Sequence, residues 1–194
     1  MTRYTRFAFP CALLLAALLL AFLTPASPDG PPYPASVNVR FSPNGGCMAA
    51  VLQHVNAAQD TIRVQAYGFT HADLGAALVN ALRRGVQVHC QLDRSNEGRP
   101  NSLAELLIAN GAHVMTDPVH AIAHNKVILI DATTVLTGSY NFSANAETRN
   151  SENLLILTDC PGVCIAYDTN WTQHAEHCRP YVPRHSIFKL PPPN

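Results

Sequence analysis

The segment TIRVQAYGFTHADLGAALVNALRRGVQVHCQL, residues 61–92, decides the fold. Its first part, Ile62 to Tyr67, is short and rich in apolar residues and reads as a strand. Leu74, Ala77, Leu78, Ala81 and Leu82 then recur at three- and four-residue spacing, the stripe of a helix with one buried face. Thr70 with Asp73 three residues on matches a capping box, and Gly85 stands where the helix would close. Val86 to Leu92 returns to strand. Strand, helix and strand in about thirty residues form a crossover unit, which joins parallel strands and covers one face of their sheet.

The neighbouring segments extend this pattern. Upstream, Val37 to Phe41 reads as a strand, and Met48, Val51, Leu52, Val55 and Ala58 recur at helical spacing after the Gly45-Gly46 turn. Downstream, Ser102 with Glu105 repeats the capping pattern, Leu103, Leu106 and Leu107 supply a buried face, and Gly111 ends a third helix. This order predicts an α/β fold whose sheet is largely parallel and flanked by helices. Lys126 to Asp131 and Thr134 to Thr137, with Ala132 and Thr133 between them, read as an antiparallel hairpin that makes the sheet mixed. Leu154 to Leu157 is a further strand. A last helix from about Pro161 carries Cys164, Tyr167, Trp171 and His174 on one side.

The ends differ in kind. Arg3 and Arg6 precede an apolar run from Cys11 to Leu23, followed by small and turn-forming residues around Pro25, Ala26 and Ser27, which is the layout of a signal peptide. The run is shorter than the roughly 20 apolar residues of a spanning helix. Residues 1–26 are thus expected to be a cleaved signal, which predicts a periplasmic or secreted protein; an N-terminal membrane anchor is the alternative. Residues 27–36 read as a linker, 37–178 as one domain and 179–194 as a Pro-rich tail. Of thirteen basic residues, loss of Arg3 and Arg6 leaves eleven against thirteen acidic ones, so the mature chain lacks the basic excess of proteins that track long nucleic acids. Phosphate recognition must therefore be local. Five cysteines remain, Cys47, Cys90, Cys160, Cys164 and Cys178, enough for two disulfides and one thiol; Cys90, on the apolar parity of its strand, is the expected buried thiol. A helix after Pro161 puts Cys164 and Cys178 roughly 20 Å apart, which excludes that pair.

Chemistry concentrates between residues 124 and 153. On a strand beginning at His124, side chains two apart share a face, so His124 and Lys126 project together while Asp131 has the opposite parity. His124 can attack or protonate, and Lys126 can set a compact positive charge against a phosphate oxygen. Asp131 suits support at the strand end. Ser139 and Asn141, again two apart, can donate hydrogen bonds to the same phosphate. Glu152 can accept a proton from the histidine Nδ1 and leave Nε2 free to attack. Singly, each has a plainer reading as a structural histidine, a turn residue or a solvated charge. Lys126 stands out because the chain uses Lys only twice, the other being Lys189. The set Cys160, Cys164, His174 and His177 holds metal-binding side chains but misses zinc-finger spacing.

Together, His124-Asn125-Lys126 through Asp131, then Gly138-Ser139-Tyr140-Asn141-Phe142-Ser143, then Glu152-Asn153, resemble the phospholipase D superfamily, defined by H-x-K-x4-D and a following G-S-x-N segment. The resemblance extends from Val37 to Trp171 and is greatest to small bacterial Nuc-type endonucleases, with one motif per chain. It implies a phosphohistidine at His124, phosphate binding by Lys126, Ser139 and Asn141, orientation by Glu152, and no metal or other cofactor. It further implies a homodimer in which His124 of each copy faces one phosphate. The expected activity is hydrolysis of DNA, with RNA as a further substrate. A phospholipase D acting on phosphatidylcholine-type lipids is the runner-up, and a non-catalytic binding module the third reading.

Overall fold

A computed structural model of the chain describes residues 36–183; the segment read as signal peptide, nearly all of the linker and residues 184–194 lie outside them. Eight strands, β1 (Ser36–Ser42), β2 (Thr61–Ala66), β3 (Gln87–Asp93), β4 (His113–Asp117), β5 (Lys126–Ile130), β6 (Thr134–Gly138), β7 (Glu152–Thr158) and β8 (Arg179–Pro180), form one sheet in the order β1-β7-β6-β5-β2-β3-β4-β8. The helices are α1 (Cys47–Ala57), α2 (Ala72–Arg83), α3 (Ala104–Ala109), α4 (Ala144–Thr148) and α5 (Pro161–Ala175).

The α/β sheet flanked by helices is as expected. Its parallel part is confined to the β2–β3 and β3–β4 pairs, which α2 and α3 connect, a smaller share than the sequence predicts. The hairpin β5–β6 docks antiparallel on the free edge of β2, and β7 and β1 continue in that sense. Three strands therefore separate β1 from β2, although only α1 lies between them in sequence.

Strand parity sorts the core into two layers. Ile62, Val64, Ile128, Ile130 and Leu136 join Val51, Leu74, Leu78 and Leu107 of α1, α2 and α3 on one face. Val127, Leu129 and Val135 meet Cys160 and Cys164 at the start of α5 on the other. β5 is consequently buried at every position, as a strand covered on both faces must be. Truncating a fully buried Leu such as Leu78 would cost about 2–5 kcal/mol. Among the described residues no helix is long and apolar enough to cross a membrane.

Some local expectations change. The Thr70–Asp73 capping box does not form: His71 is the N-cap of α2 without a side-chain cap, because the N–H groups of Thr70 and His71 both donate to Phe142 O at 2.9 Å. At α3, Ser102 Oγ does accept the Ala104 N–H, at 3.3 Å. The fold also runs past residue 178. Arg179–Pro180 pair with β4, and Tyr181 is buried with its hydroxyl donating to Asn96 O at 3.1 Å. All five described cysteines are free thiols, so the two disulfides are not formed. Cys47 and the Cys160/Cys164 pair lie in the cores of opposite sheet faces, out of bonding reach. Cys90 is fully buried as predicted, and burial pushes its thiol up to about 12.

Candidate active site

Register brings the polar motif residues to one rim. The carboxyl ends of β2, β3 and β4 lie there with the amino ends of β5 and β7 and the end of β6. Lys126 pairs with Ala66, and Gly138 with Leu154, so His124, Lys126, Ser139 and Glu152 gather along this edge. In sheets with parallel strands, the carboxyl-end rim is where ligands bind.

His124 precedes β5 rather than opening it, as the strand starts at Lys126. Its exposed imidazole lies edge-on to Tyr67, with ring centroids 4.9 Å apart, and makes no hydrogen bond among the described residues. Lys126 is only 5 % exposed. Its ammonium donates to His124 O at 2.6 Å and stands 5.4 Å from the centre of the Tyr67 ring. Of its three donors, one is thus used and two remain for an incoming anion. Burial lowers the Lys126 pKa, and the negative charge of Glu152 opposes that shift. The cleft beside them holds about 210 Å³ and is walled by Gln65, Asn125, Thr137, Tyr167 and Asn170. A larger cleft of about 610 Å³, lined by Thr70, Arg99, Ser102 and Ser143, contains neither His124 nor Lys126.

Ser139 is exposed, and its Oγ accepts the N–H of Asn153 at 3.0 Å, which leaves its own O–H free to donate. Asn141 Oδ1 accepts from Gly68 N at 3.2 Å, so its amide nitrogen faces away from that bond. Two glycines make these placements possible. A Cβ at Gly68 would lie 3.0 Å from Asn141 Oδ1, and one at Gly138, whose φ is 147°, would meet Asn153 O at 2.3 Å. Glu152 accepts from Asn150 Nδ2 at 3.0 Å. Among the described residues no hydrogen bond joins it to His124, so its effect within one chain is the electrostatic one on Lys126.

Asp131 is not in this cluster. It sits five residues beyond Lys126, about 17 Å along the strand, at the opposite rim. There its carboxylate accepts N–H groups of Gln59, Asp60 and Thr61, each at 2.9 Å. Burial disfavours its charge, but these three hydrogen bonds outweigh burial and lower its pKa. The reason is parity and length: an acid at this point of the motif ties the end of β5 to the start of β2. Asp131, although the third member of the H-x-K-x4-D motif, is therefore a supporting residue and not a catalytic one.

The sequence reading did not single out Tyr67, which packs against both His124 and Lys126, or the buried amides beneath them. Asn125 Nδ2 approaches Gln65 Oε1 at 3.4 Å, Gln65 Nε2 donates to Gln91 Oε1 at 3.0 Å, and Gln91 Nε2 donates to Trp171 O at 3.0 Å. This chain fastens α5 to the floor of the site. The sequence pattern does not mark it, because Gln65 continues the polar parity of Thr61 and Arg63, and Gln91 that of Gln87 and His89. The mixed Cys160/Cys164/His174/His177 set is not assembled: the two thiols lie in the core beneath α5, while His174 and His177 adjoin Asp117.

An exposed imidazole beside a buried ammonium, with hydroxyl and amide donors on the same rim, is an arrangement chemically suited to a phosphate ester. Residues 51–173 match the family model described as Cardiolipin synthase, PLD-like domain. The chain is 41% identical over 137 residues to a Rickettsia conorii protein named phospholipase D, covering 71% of this chain and 68% of that one. It is 32% identical over 109 residues to the mitochondrial cardiolipin hydrolase of Xenopus laevis, covering 56% of this chain and 52% of that one. The crystal structure of Nuc from Salmonella typhimurium, a phospholipase D family member, superposes with a TM-score of 0.73 at 36% identity, covering 76% of this chain and 98% of Nuc. The chain belongs to the phospholipase D superfamily and is a phosphodiester hydrolase.

Proposed function

We propose that the chain is an exported endonuclease that hydrolyses DNA, with RNA as a further substrate, through a phosphohistidine at His124 and without a metal at the scissile phosphate. The observation that carries this reading is an exposed, unbonded imidazole beside a buried ammonium with two free N–H groups. His124 Nε2 attacks phosphorus, the bond to the leaving oxygen breaks, and an acid protonates that oxygen. Water then attacks the phosphorus of the phosphohistidine, the same group takes its proton, and His124 is released. Lys126, Ser139 and Asn141 bind the non-bridging oxygens, where charge develops.

The proton donor must be a second imidazole. Each chain carries one H-x-K-x4-D motif, so the reading makes the working enzyme a homodimer in which His124 of one copy attacks and that of the other protonates. The exposure of His124 is compatible with such a shared site. Export rests on Arg3, Arg6 and the apolar run that follows them. The wall of Gln65, Asn125, Thr137 and Asn170 is polar and suits a nucleic-acid backbone better than acyl chains. The names of the relatives favour a second reading, hydrolysis of phospholipid head groups.

Purified protein assayed in parallel on plasmid DNA, RNA and vesicles of phosphatidylcholine or cardiolipin separates the two readings. The expected result is nicking of DNA in EDTA, and phosphate label on protein quenched in alkaline detergent that acid removes and that His124→Ala lacks. Turnover of vesicles alone would replace the nuclease reading, and activity lost in EDTA but restored by magnesium would remove the mechanism. Full specific activity in a species sedimenting as a monomer would remove the shared site.

A further inference from the structure

Three imidazoles and one carboxylate meet where the end of β4 approaches the last turn of α5. Asp117 Oδ2 lies 2.8 Å from His120 Nδ1, 3.5 Å from His174 Nδ1 and 3.3 Å from His177 Nε2. The ring centroids of the three histidines are 5.1, 5.1 and 5.2 Å apart, nearly an equilateral triangle. One ligand atom from each of the four residues falls within 4.8 Å of all the others.

Hydrogen bonding alone does not call for this arrangement. The Asp117 side chain is 2 % exposed, and its Oδ1 already accepts the N–H groups of Val119 at 2.9 Å and His120 at 3.1 Å. Oδ2 needs one further donor, yet three rings turn a nitrogen toward it. Among the described residues neither Lys nor Arg pairs with this carboxylate, so a buried negative charge has only histidines around it. Protonating all three would set three cations within contact of one another. A cation at their centre resolves both conditions. Bonds of about 2.0–2.1 Å to zinc give a tetrahedron with edges of about 3.3 Å; the distances from Oδ2 to His174 and His177 match it, and the 2.8 Å contact of His120 opens by about half an ångström to reach it.

We propose that Asp117 Oδ2, His120 Nδ1, His174 Nδ1 and His177 Nε2 form a structural zinc site. Four protein ligands close the coordination shell, which is the mark of a structural ion; a catalytic one keeps a position for water. The backbone N–H groups of Val119 and His120 on Oδ1 supply the outer-shell orientation that such sites use. The ion ties α5, which contributes Tyr167 and Asn170 to the cleft wall, to the loop between β4 and β5, which carries His124 four residues after His120. It shares no residue with the phosphate site, and the inference stands whichever substrate that site takes.

The test uses the full chain, stripped with chelator and dialysed against zinc chloride. About one zinc per chain should be retained, with the thermal midpoint raised by roughly 8 °C, and cobalt(II) in place of zinc should give the intense visible bands of a four-coordinate ion. His177→Ala and His174→Ala should weaken zinc binding by more than the roughly 100-fold that outer-shell changes cost, while Cys160→Ser retains it. Fewer than about one zinc per ten chains, a midpoint indifferent to zinc, or a weak six-coordinate cobalt spectrum would overturn the site. The wild-type stoichiometry and spectrum decide the matter even if the histidine variants fold poorly.

Discussion

Asp131→Asn removes the charge and one acceptor from a carboxylate that holds the N–H groups of Gln59, Asp60 and Thr61, each at 2.9 Å. An amide oxygen in place of Oδ1 keeps Asp60 and Thr61, but an NH₂ in place of Oδ2 faces the Gln59 N–H donor to donor. Losing a hydrogen bond to a charged acceptor costs about 1.5–3 kcal/mol, and reducing two others to neutral strength costs about 0.5–1 kcal/mol each. The sum, about 2.5–5 kcal/mol, corresponds to a fall of roughly 10 °C in melting temperature for a domain of this size. The left-handed backbone at this position, φ 50°, suits Asn as well as Asp, so conformational strain adds nothing. Because hydrogen bonding lowers the folded pKa of Asp131, its stabilisation is fully present above the unfolded value of about 3.9 and fades as pH falls through the folded one. The deficit of the variant should therefore shrink in acid. Urea unfolding at several pH values, with initial rates measured well below both melting points, provides the assay. Turnover should stay within about threefold of wild type, since the carboxylate lies about 17 Å from Lys126. A variant with native stability and lost activity would refute the assignment of Asp131 to the architecture.

Other outcomes follow from the same geometry. Lys126→Met should reduce kcat/KM by about a thousandfold or more while leaving stability equal or higher, because it removes a buried cation that no carboxylate contacts; a large loss of stability in chemical denaturation would contradict this. Since burial lowers the folded pKa of Lys126, the unfolded chain holds the extra proton between the folded and unfolded values, and stability there rises with pH while activity falls. Glu152→Gln removes the charge that opposes the shift, so the alkaline limb of the pH–rate profile should move to lower pH; an unmoved limb would show that another group sets it. Gly138→Ala drives a Cβ to 2.3 Å from Asn153 O and should cost at least about 2 kcal/mol, together with activity lost as Ser139 shifts; near-wild-type melting and turnover would show that β7 can yield.

Short-range rules made much of this protein legible from its sequence. The apolar spacing in residues 61–92 set the β2-α2-β3 unit, because a stripe at helical spacing between two apolar runs has few ways to bury itself. The two-residue period after His124 separated Asp131 from Lys126, because strand side chains alternate faces whatever surrounds them. Tertiary structure decided what depends on distant partners. The Thr70 cap is lost to Phe142, seventy-two residues on, and β7 and the hairpin insert between β1 and β2. Tyr67 joins the site only because β2 and β5 pair in one register, which sets its ring against both His124 and Lys126. Nearness in the sequence offered Cys160 and Cys164 as companions of His174 and His177, although their spacing fits no zinc finger. The fold instead carries the end of α5 to Asp117 and His120, roughly sixty residues earlier, because α5 lies across the sheet face. A ligand set is defined by convergence in space, and chain separation does not encode that convergence until the strands have found their order.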